Sequence, residues 1–125
     1  MLPRKHRLTR SSDFQRVRSQ GRSWSDRLLV LSRAPNDQEV ARFGFSVSRR
    51  IGGAVVRNRT RRLMRETVRL QHDLVAPGWD IVFIARKGII GVDYAAVEGS
   101  VTRLLRLAGL YRSQERSSPR TRQGV

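Results

Sequence analysis

The segment from residue 49 to residue 69, RRIGGAVVRNRTRRLMRETVR, carries eight arginines and a single acidic residue, Glu66. Gly52 and Gly53 provide a flexible entry, and the residues after them predict a long helix from about residue 54 to residue 74. At about 100° per residue, one side of this helix is basic and the opposite side is mostly apolar. The apolar side is predicted to face the core and consists of Val56, Leu63, Thr67, Leu70 and Leu74.

The arginines on the basic side of this helix repel one another, because Arg57, Arg61 and Arg65 are spaced at i,i+4 with almost no acidic residue nearby. Like charges at this spacing destabilise a helix, and a bound polyanion would remove the penalty. A solvated face with no specific partner is the simpler interpretation. However, the concentration of positive charge on one face of the helix favours binding of RNA or DNA, and RNA fits better than duplex DNA. The predicted RNA-binding residues are Arg49, Arg50, Arg57, Asn58, Arg59, Arg61, Arg62 and Arg65.

The composition supports a nucleic-acid partner. The chain has 125 residues, which is the size of one domain, and its 26 Lys and Arg against 10 Asp and Glu give a formal net charge of +16. Such a charge requires a polyanion nearby. The absence of cysteine excludes disulfides, thiol catalysis and cysteine-ligated zinc. No apolar run is long enough to span a bilayer and no secretory signal is visible, so we expect a cytoplasmic protein with no membrane partner.

The regions on either side of the long helix show short helix and strand signals. Ser11, Ser12 and Asp13 are typical of a helix cap, and the runs before Pro35 and after Gly78 are rich in large apolar residues. The predicted elements are a helix over 12–20, strands over 26–34, 40–48 and 79–85, and a helix over 93–108. With the long helix they give the order α-β-β-α-β-α, and the pattern leaves the pairing of the strands open.

Residues 1–111 are expected to form a single RNA-binding domain. Its first ten residues are basic and unpatterned, which predicts an extended arm, and residues 112–125 predict a basic, disordered tail. In the strand over 40–48 the side chains alternate, so that Phe43 and Phe45 share one face while Gly44 and Ser46 share the other. A sheet face lined by glycine and serine lets a ligand backbone approach closely.

The segment GGAVVRNRTRRLMRE resembles the signature of the bacterial ribonuclease P protein component. That signature is a basic residue, then G-x-A-V-x-R-N-R, a basic pair, and R-E or R-Q. Here these positions are Arg50, Gly53 shifted with Gly52, Ala54-Val55, Arg57-Asn58-Arg59, Arg61-Arg62 and Arg65-Glu66. The similarity extends to FGFSVS before the signature and IAR after it, and covers about residues 4 to 111.

The resemblance implies an α+β fold, in which a two-layer sandwich has a mixed central sheet and a left-handed βαβ crossover, like the second domain of ribosomal protein S5. It implies a protein subunit of ribonuclease P, whose catalytic RNA uses RNA-bound Mg²⁺ to remove the 5′ leader of precursor tRNA. The implied leader-binding residues are Phe14, Val30, Ser32 and Ser46. Arg18 and Ser32 stand where the family often has aromatic residues, so leader contacts are expected to depend more on charge.

The acidic residues are scattered along the chain, without the clustered carboxylates or positioned histidine that a protein nuclease needs. An autonomous nuclease is therefore disfavoured, and we expect no catalytic residue, metal site or cofactor on this chain. A ribosomal or RNA-chaperone protein remains the alternative, because it would share the charge and size. It would not require the Arg-Asn-Arg spacing together with the helix that carries Phe14.

Overall fold

The computed structural model describes residues 2–112. The helices in this range are α1 (Ser11–Gln20), α2 (Ala54–Arg69) and α3 (Tyr94–Leu107). The strands are β1 (Arg22–Ser25), β2 (Leu29–Pro35), β3 (Arg42–Ser46) and β4 (Trp79–Ala85). The predicted tail over 112–125 lies outside the described residues, apart from Arg112.

The four strands form one mixed sheet in the order β1-β2-β4-β3. β2 is antiparallel to both of its neighbours, whereas β3 runs parallel to β4. The chain therefore passes from β3 through α2 to an adjacent parallel strand, which is a βαβ crossover. The α+β fold class with a mixed central sheet is confirmed, and the left hand of the crossover stays a prediction.

Helices cover both faces of the sheet, because successive side chains of a strand point to opposite faces. α2 and α3 pack over the face that carries Leu31, Phe43 and Phe83, and together they form the main core. The shorter α1 covers part of the other face, where Val17 packs with Val82. The sandwich thus gains a third, partial layer, and the part of this face that α1 leaves open is available for binding.

β1 has no counterpart among the predicted strands, because its sequence RSWS is mostly polar and its side chains are largely exposed at the sheet edge. Gly21 allows the chain to approach the sheet at this point, since a Cβ there would lie 2.2 Å from the carbonyl oxygen of Arg33. The strand predicted over 26–34 corresponds to β2, which begins three residues later, at Leu29, and ends at Pro35.

The prediction of an extended N-terminal arm is wrong. Leu2 and Leu8 are buried, and Arg4–His6 form a short 3-10 helix. The Leu8 amide donates to the carbonyl oxygen of Phe43 at 2.8 Å, which fixes this segment along the outer edge of β3. Two leucines among five basic residues give no periodic signal, so the sequence pattern did not indicate this packing.

α2 ends at Arg69 rather than near residue 74, and its buried side is rotated relative to the predicted one. The buried residues of α2 are Thr60, Met64, Thr67 and Val68. Of the residues predicted to face the core, three are substantially exposed: Val56 (40 %), Leu70 (57 %) and Leu74 (50 %).

Local hydrogen bonds explain why α2 buries threonine in place of larger apolar residues. The Thr60 hydroxyl donates to the carbonyl oxygen of Val56 at 2.9 Å, and the Thr67 hydroxyl donates to that of Met64 at 2.8 Å. Both hydroxyl groups are satisfied within the helix, so burying them leaves no unpaired polar group. A hydropathy ranking does not include this compensation and therefore places the core side of α2 incorrectly.

A buried carboxylate joins α1 to the sheet. Asp80 of β4 is fully buried and accepts hydrogen bonds from Arg42 Nε at 2.8 Å, from Arg42 Nη2 at 2.7 Å and from Asn36 Nδ2 at 2.9 Å. Arg16 of α1 also donates to it. Both carboxylate oxygens are paired, which compensates the loss of their hydration. This cluster fixes the position of α1 on the sheet.

We expect Asp80→Ala to lower the free energy of unfolding by about 3 kcal/mol, because removing one partner of a buried ion pair leaves the others uncompensated. Urea unfolding followed by circular dichroism measures the change. Glu39→Ala removes the same charge from an exposed position and should change stability by less than about 0.5 kcal/mol. Equal losses in the two variants would contradict a structural role for the buried cluster.

A second carboxylate joins the start of β2 to α3. Asp26 accepts hydrogen bonds from the amides of Leu28 and Leu29 at 2.9 and 3.0 Å, from Ser100 Oγ at 2.7 Å and from Arg103 Nη1 at 2.6 Å. Burial acts to raise the pKa of Asp26, but these hydrogen bonds and the charge of Arg103 outweigh it and hold the pKa below the usual 3.8. A lowered pKa in the folded state stabilises the fold above pH 3.8. That stabilisation is lost as the pH falls through the folded-state pKa.

We expect Asp26→Asn to destabilise the protein at neutral pH, with the difference from the natural sequence shrinking as the pH falls below about 4. The stabilising effect belongs to the ionised carboxylate, which is protonated in both states at low pH. Urea unfolding at a series of pH values measures the difference. Glu98→Gln, at an exposed position of α3, should show no such convergence. A difference in unfolding free energy between Asp26→Asn and the natural sequence that stays constant with pH would disprove the stabilising role of the ionised Asp26.

Candidate nucleic-acid interface

All eight residues predicted to bind RNA lie on α2 or on the short 3-10 helix Arg49–Ile51 directly before it. Three arginines border the buried side of α2 and are half-buried: Arg57, Arg61 and Arg65. Three residues are exposed on its outer side: Asn58, Arg59 and Arg62. Two more are exposed before the helix: Arg49 and Arg50.

The seven arginines of this set form no ion pair within the range 2–112. The acid of α2, Glu66, pairs instead with Arg69, whose Nε lies 2.9 Å from Glu66 Oε2. This hydrogen bond lowers the pKa of Glu66 and keeps its carboxylate charged and occupied. Arg61 donates to Asn58 Oδ1 at 3.0 Å, which is a contact with a neutral group. The face therefore carries positive charge that no carboxylate in the described structure neutralises.

A cleft opens between α1 and the uncovered part of the sheet. Its volume is about 790 Å³, and its wall consists of Thr9, Ser11, Phe14, Gln15, Arg18, Ser19 and Ser46. The Phe14 ring packs directly over Gly44, since a Cβ at Gly44 would lie 2.5 Å from Phe14 Cζ. The missing side chain at Gly44 thus lets the aromatic ring lie against the sheet and form one wall of the cleft.

The structure brings together two of the four predicted leader-binding residues, Phe14 and Ser46. Val30 lies in the same cross-strand row as Ser46 with Ile84 between them, so it faces the same side of the sheet about 10 Å away. Ser32 is 2 % exposed, and its Oγ lies 2.7 Å from that of Ser23. The expectation for Ser32 is therefore wrong, because this buried side chain has almost no surface available to RNA.

Sequence reasoning did not assign four polar residues of the cleft wall, namely Thr9, Ser11, Gln15 and Ser19. Gln15 and Ser19 are one helical turn apart on α1, as are Phe14 and Arg18. Helical spacing identifies them only once it is known which side of α1 faces the sheet. Arg18, where the family often has an aromatic residue, adds a guanidinium group to the wall that contains Phe14.

A groove of about 310 Å³ connects this cleft with α2. Its wall includes Phe14 and Thr9, which also line the cleft, together with Arg61 and Arg65 of α2. The groove follows the outer edge of β3, where the N-terminal segment is paired with the strand. The rotation of α2 relative to its predicted orientation is what places these half-buried arginines next to the aromatic ring.

The sequence of the chain matches a known protein family. The family model described as Ribonuclease P matches residues 2–109 of the chain. The chain belongs to the ribonuclease P protein family. The ribonuclease P protein component of Roseiflexus castenholzii is 44 % identical over 119 residues, which cover 94 % of this chain and 98 % of that protein.

Solved structures of ribonuclease P proteins share the fold. The protein from Staphylococcus aureus has a TM-score of 0.79 at 29 % identity, and the match covers 86 % of this chain and 98 % of that one. The protein from Thermotoga maritima has a TM-score of 0.75 at 30 % identity, covering 81 % and 96 % of the two chains. The mixed sheet with three helices is therefore the fold of these ribonuclease P proteins.

Family membership makes this chain a protein component of ribonuclease P, a tRNA-processing endonuclease, with an RNA subunit as its partner. It rejects the alternative of a ribosomal or RNA-chaperone protein. No helix among residues 2–112 has the length and apolar character needed to cross a membrane. In the same range, no three histidine or acidic side chains lie close enough together to hold a metal ion.

We expect Arg57→Ala and Arg61→Ala each to weaken binding to the RNA subunit and to make it less salt-dependent. Each lost phosphate contact should reduce the slope of log K against log salt by roughly 0.7 to 0.9. Filter binding at several salt concentrations measures the slope. Arg106→Gln, at an exposed position of α3, removes the same charge away from α2 and should have little effect. Unchanged slopes in the α2 variants would rule out direct phosphate contacts.

Proposed function

We propose that this protein holds the single-stranded 5′ leader of precursor tRNA in the cleft beside α1 while α2 contacts the catalytic RNA in the cytoplasm. The observation that supports it best is the groove lined by Phe14, Arg61 and Arg65, which makes the cleft and the basic helix neighbouring parts of one surface. A strand of RNA that leaves the cleft along β3 would meet guanidinium groups within the same groove that pair with no carboxylate of residues 2–112. Leader and RNA subunit would then be held against each other.

The chemistry of the cleft suits an unpaired RNA strand of variable sequence. Phe14 offers an aromatic face on which any base can stack, and Arg18 offers a charged donor for a phosphate. Gln15, Ser19 and Ser46 add neutral hydrogen-bonding groups on both sides of the cleft. Val30 would extend the apolar floor further across the same sheet face. This mixture binds the backbone and the base faces without requiring one sequence.

We assign bond cleavage to the RNA subunit. The walls of the cleft and the groove contain hydroxyl, amide, guanidinium, aliphatic and aromatic side chains, and neither wall includes a carboxylate or an imidazole. A hydrolytic site needs a general base or ligands for a catalytic metal, which these side chains do not supply. We therefore propose that Mg²⁺ is bound by the RNA subunit and that this chain positions the substrate.

Phe14→Ala is expected to weaken binding of leader-bearing precursor tRNA to the reconstituted holoenzyme much more than binding of mature tRNA. Loss of one base–aromatic stack removes about 1 to 3 kcal/mol, or roughly a 5- to 150-fold change in Kd. Equilibrium binding of both RNAs under conditions that prevent cleavage measures the difference.

Phe14→Leu is the matched control for this measurement. It keeps an apolar side chain over Gly44 but removes the aromatic face, so it should lose the same preference for the leader while retaining the stability of the fold. Equal losses of affinity for precursor and mature tRNA would contradict the proposal that the cleft binds the leader. Cleavage of precursor tRNA by the protein without its RNA subunit would disprove the assignment of chemistry to RNA.

A further inference from the structure

Two arginines and two tryptophans form a stacked column near the β1 edge of the sheet. The guanidinium carbon of Arg33 lies 4.2 Å from the centroid of the Trp79 ring and 5.2 Å from that of Trp24. The guanidinium carbon of Arg22 lies 5.2 Å from the centroid of Trp24. Cationic and aromatic side chains therefore alternate in the order Arg22, Trp24, Arg33, Trp79, which we call the Arg–Trp column.

The Arg–Trp column is separate from both surfaces described above. Trp24 is paired in register with Leu31, whose side chain lies in the core beneath α3, so the column is on the sheet face opposite the Phe14 cleft. α2 packs near β3, at the other edge of the sheet. RNA that binds to α2 or in the cleft therefore does not contact the column through those same surfaces.

The column carries positive charge that no carboxylate of the described residues neutralises. Arg22 and Arg33 are directly opposite each other on neighbouring antiparallel strands, where like charges destabilise the pair. Neither forms an ion pair within residues 2–112. Burial and the charge of Arg22 both lower the pKa of Arg33. The indole rings stabilise the two cations in part, but an external anion would remove the remaining repulsion.

We propose that the Arg–Trp column is a second RNA-binding surface, which stacks bases of an unpaired RNA segment and pairs its phosphates with Arg22 and Arg33. Both tryptophans are partly exposed and Arg22 is exposed, so aromatic and guanidinium surface is accessible together. Indoles and guanidinium groups both stack on bases, and the arginine fork matches a phosphate. The net charge of +16 favours RNA over a protein partner.

Intrinsic fluorescence provides a specific test, because Trp24 and Trp79 are the only tryptophans of the chain and both belong to the column. Titration of the full-length protein with an unstructured oligoadenylate should quench tryptophan emission in a saturable manner. In Arg22→Gln/Arg33→Gln, the Kd obtained from quenching should rise roughly tenfold, as expected for loss of a charge-assisted contact. Arg106→Gln should bind as the natural sequence does.

Further experiments test the column independently of the proposed function and identify which RNA supplies the unpaired segment. Arg57→Ala/Arg61→Ala should keep the quenching curve even if α2 no longer binds RNA, so the two surfaces succeed or fail independently. Titration with the RNA subunit alone and with precursor tRNA alone shows which one supplies the unpaired segment. Quenching by either supports the proposal, and quenching by neither overturns it.

Three results would overturn the proposal. The first is binding of a labelled oligoadenylate, detected by anisotropy, without a change in tryptophan emission. The second is an unchanged quenching curve in the double variant, which would make the column an internal packing feature. The third is equal quenching by polyglutamate, which would indicate an acidic protein partner. If Arg33→Gln unfolds the protein, as judged by circular dichroism, the exposed Arg22→Gln alone provides the comparison.

Discussion

The distribution of 10 carboxylates among 26 basic side chains governs both the fold and the interface of this molecule. Asp80 pairs with Arg16 and Arg42, and Asp26 pairs with Arg103, so these acids join secondary-structure elements to one another. Glu66 neutralises Arg69 at the end of α2. The arginines between residues 49 and 65 are left with like-charged neighbours, and their repulsion is a free-energy cost that a bound RNA would remove.

The orientation of α2 decides how this charge is presented. Because Thr60 and Thr67 are buried with their hydroxyl groups satisfied, the arginines at 57, 61 and 65 lie beside the sheet and not at the outermost line of the helix. Two of them line the groove that contains Phe14. The choice of which side of α2 is buried therefore brings the basic helix next to the Phe14 cleft, two regions that are far apart in the sequence.

Sequence reasoning succeeded where the signal was local and failed where it depended on tertiary contacts. The alternation around Phe43 and the glycines before residue 54 identified β3 and the start of α2, because each is a short-range pattern. β1 was missed because RSWS is a short, mostly polar edge strand in which only Trp24 is partly buried, so it shows no alternating pattern. Ser32 was assigned to the cleft although its side chain is buried. Packing of this kind is fixed by residues far away in the chain, such as Asp80.

The two classes of arginine contact respond differently to salt, and this difference separates folding from RNA binding. Asp80 is fully buried, so its attraction to Arg16 and Arg42 is screened little by added ions. The arginines of α2 border or face solvent, so contacts between them and RNA phosphates would weaken steeply with salt, because the release of counterions from RNA gains less free energy at higher salt. Because Asp80 also positions α1, we expect the Phe14 cleft to keep its shape at salt concentrations that would release RNA. Under the proposed function, the buried cluster would preserve a preformed site, and the arginines of α2 would control whether RNA occupies it.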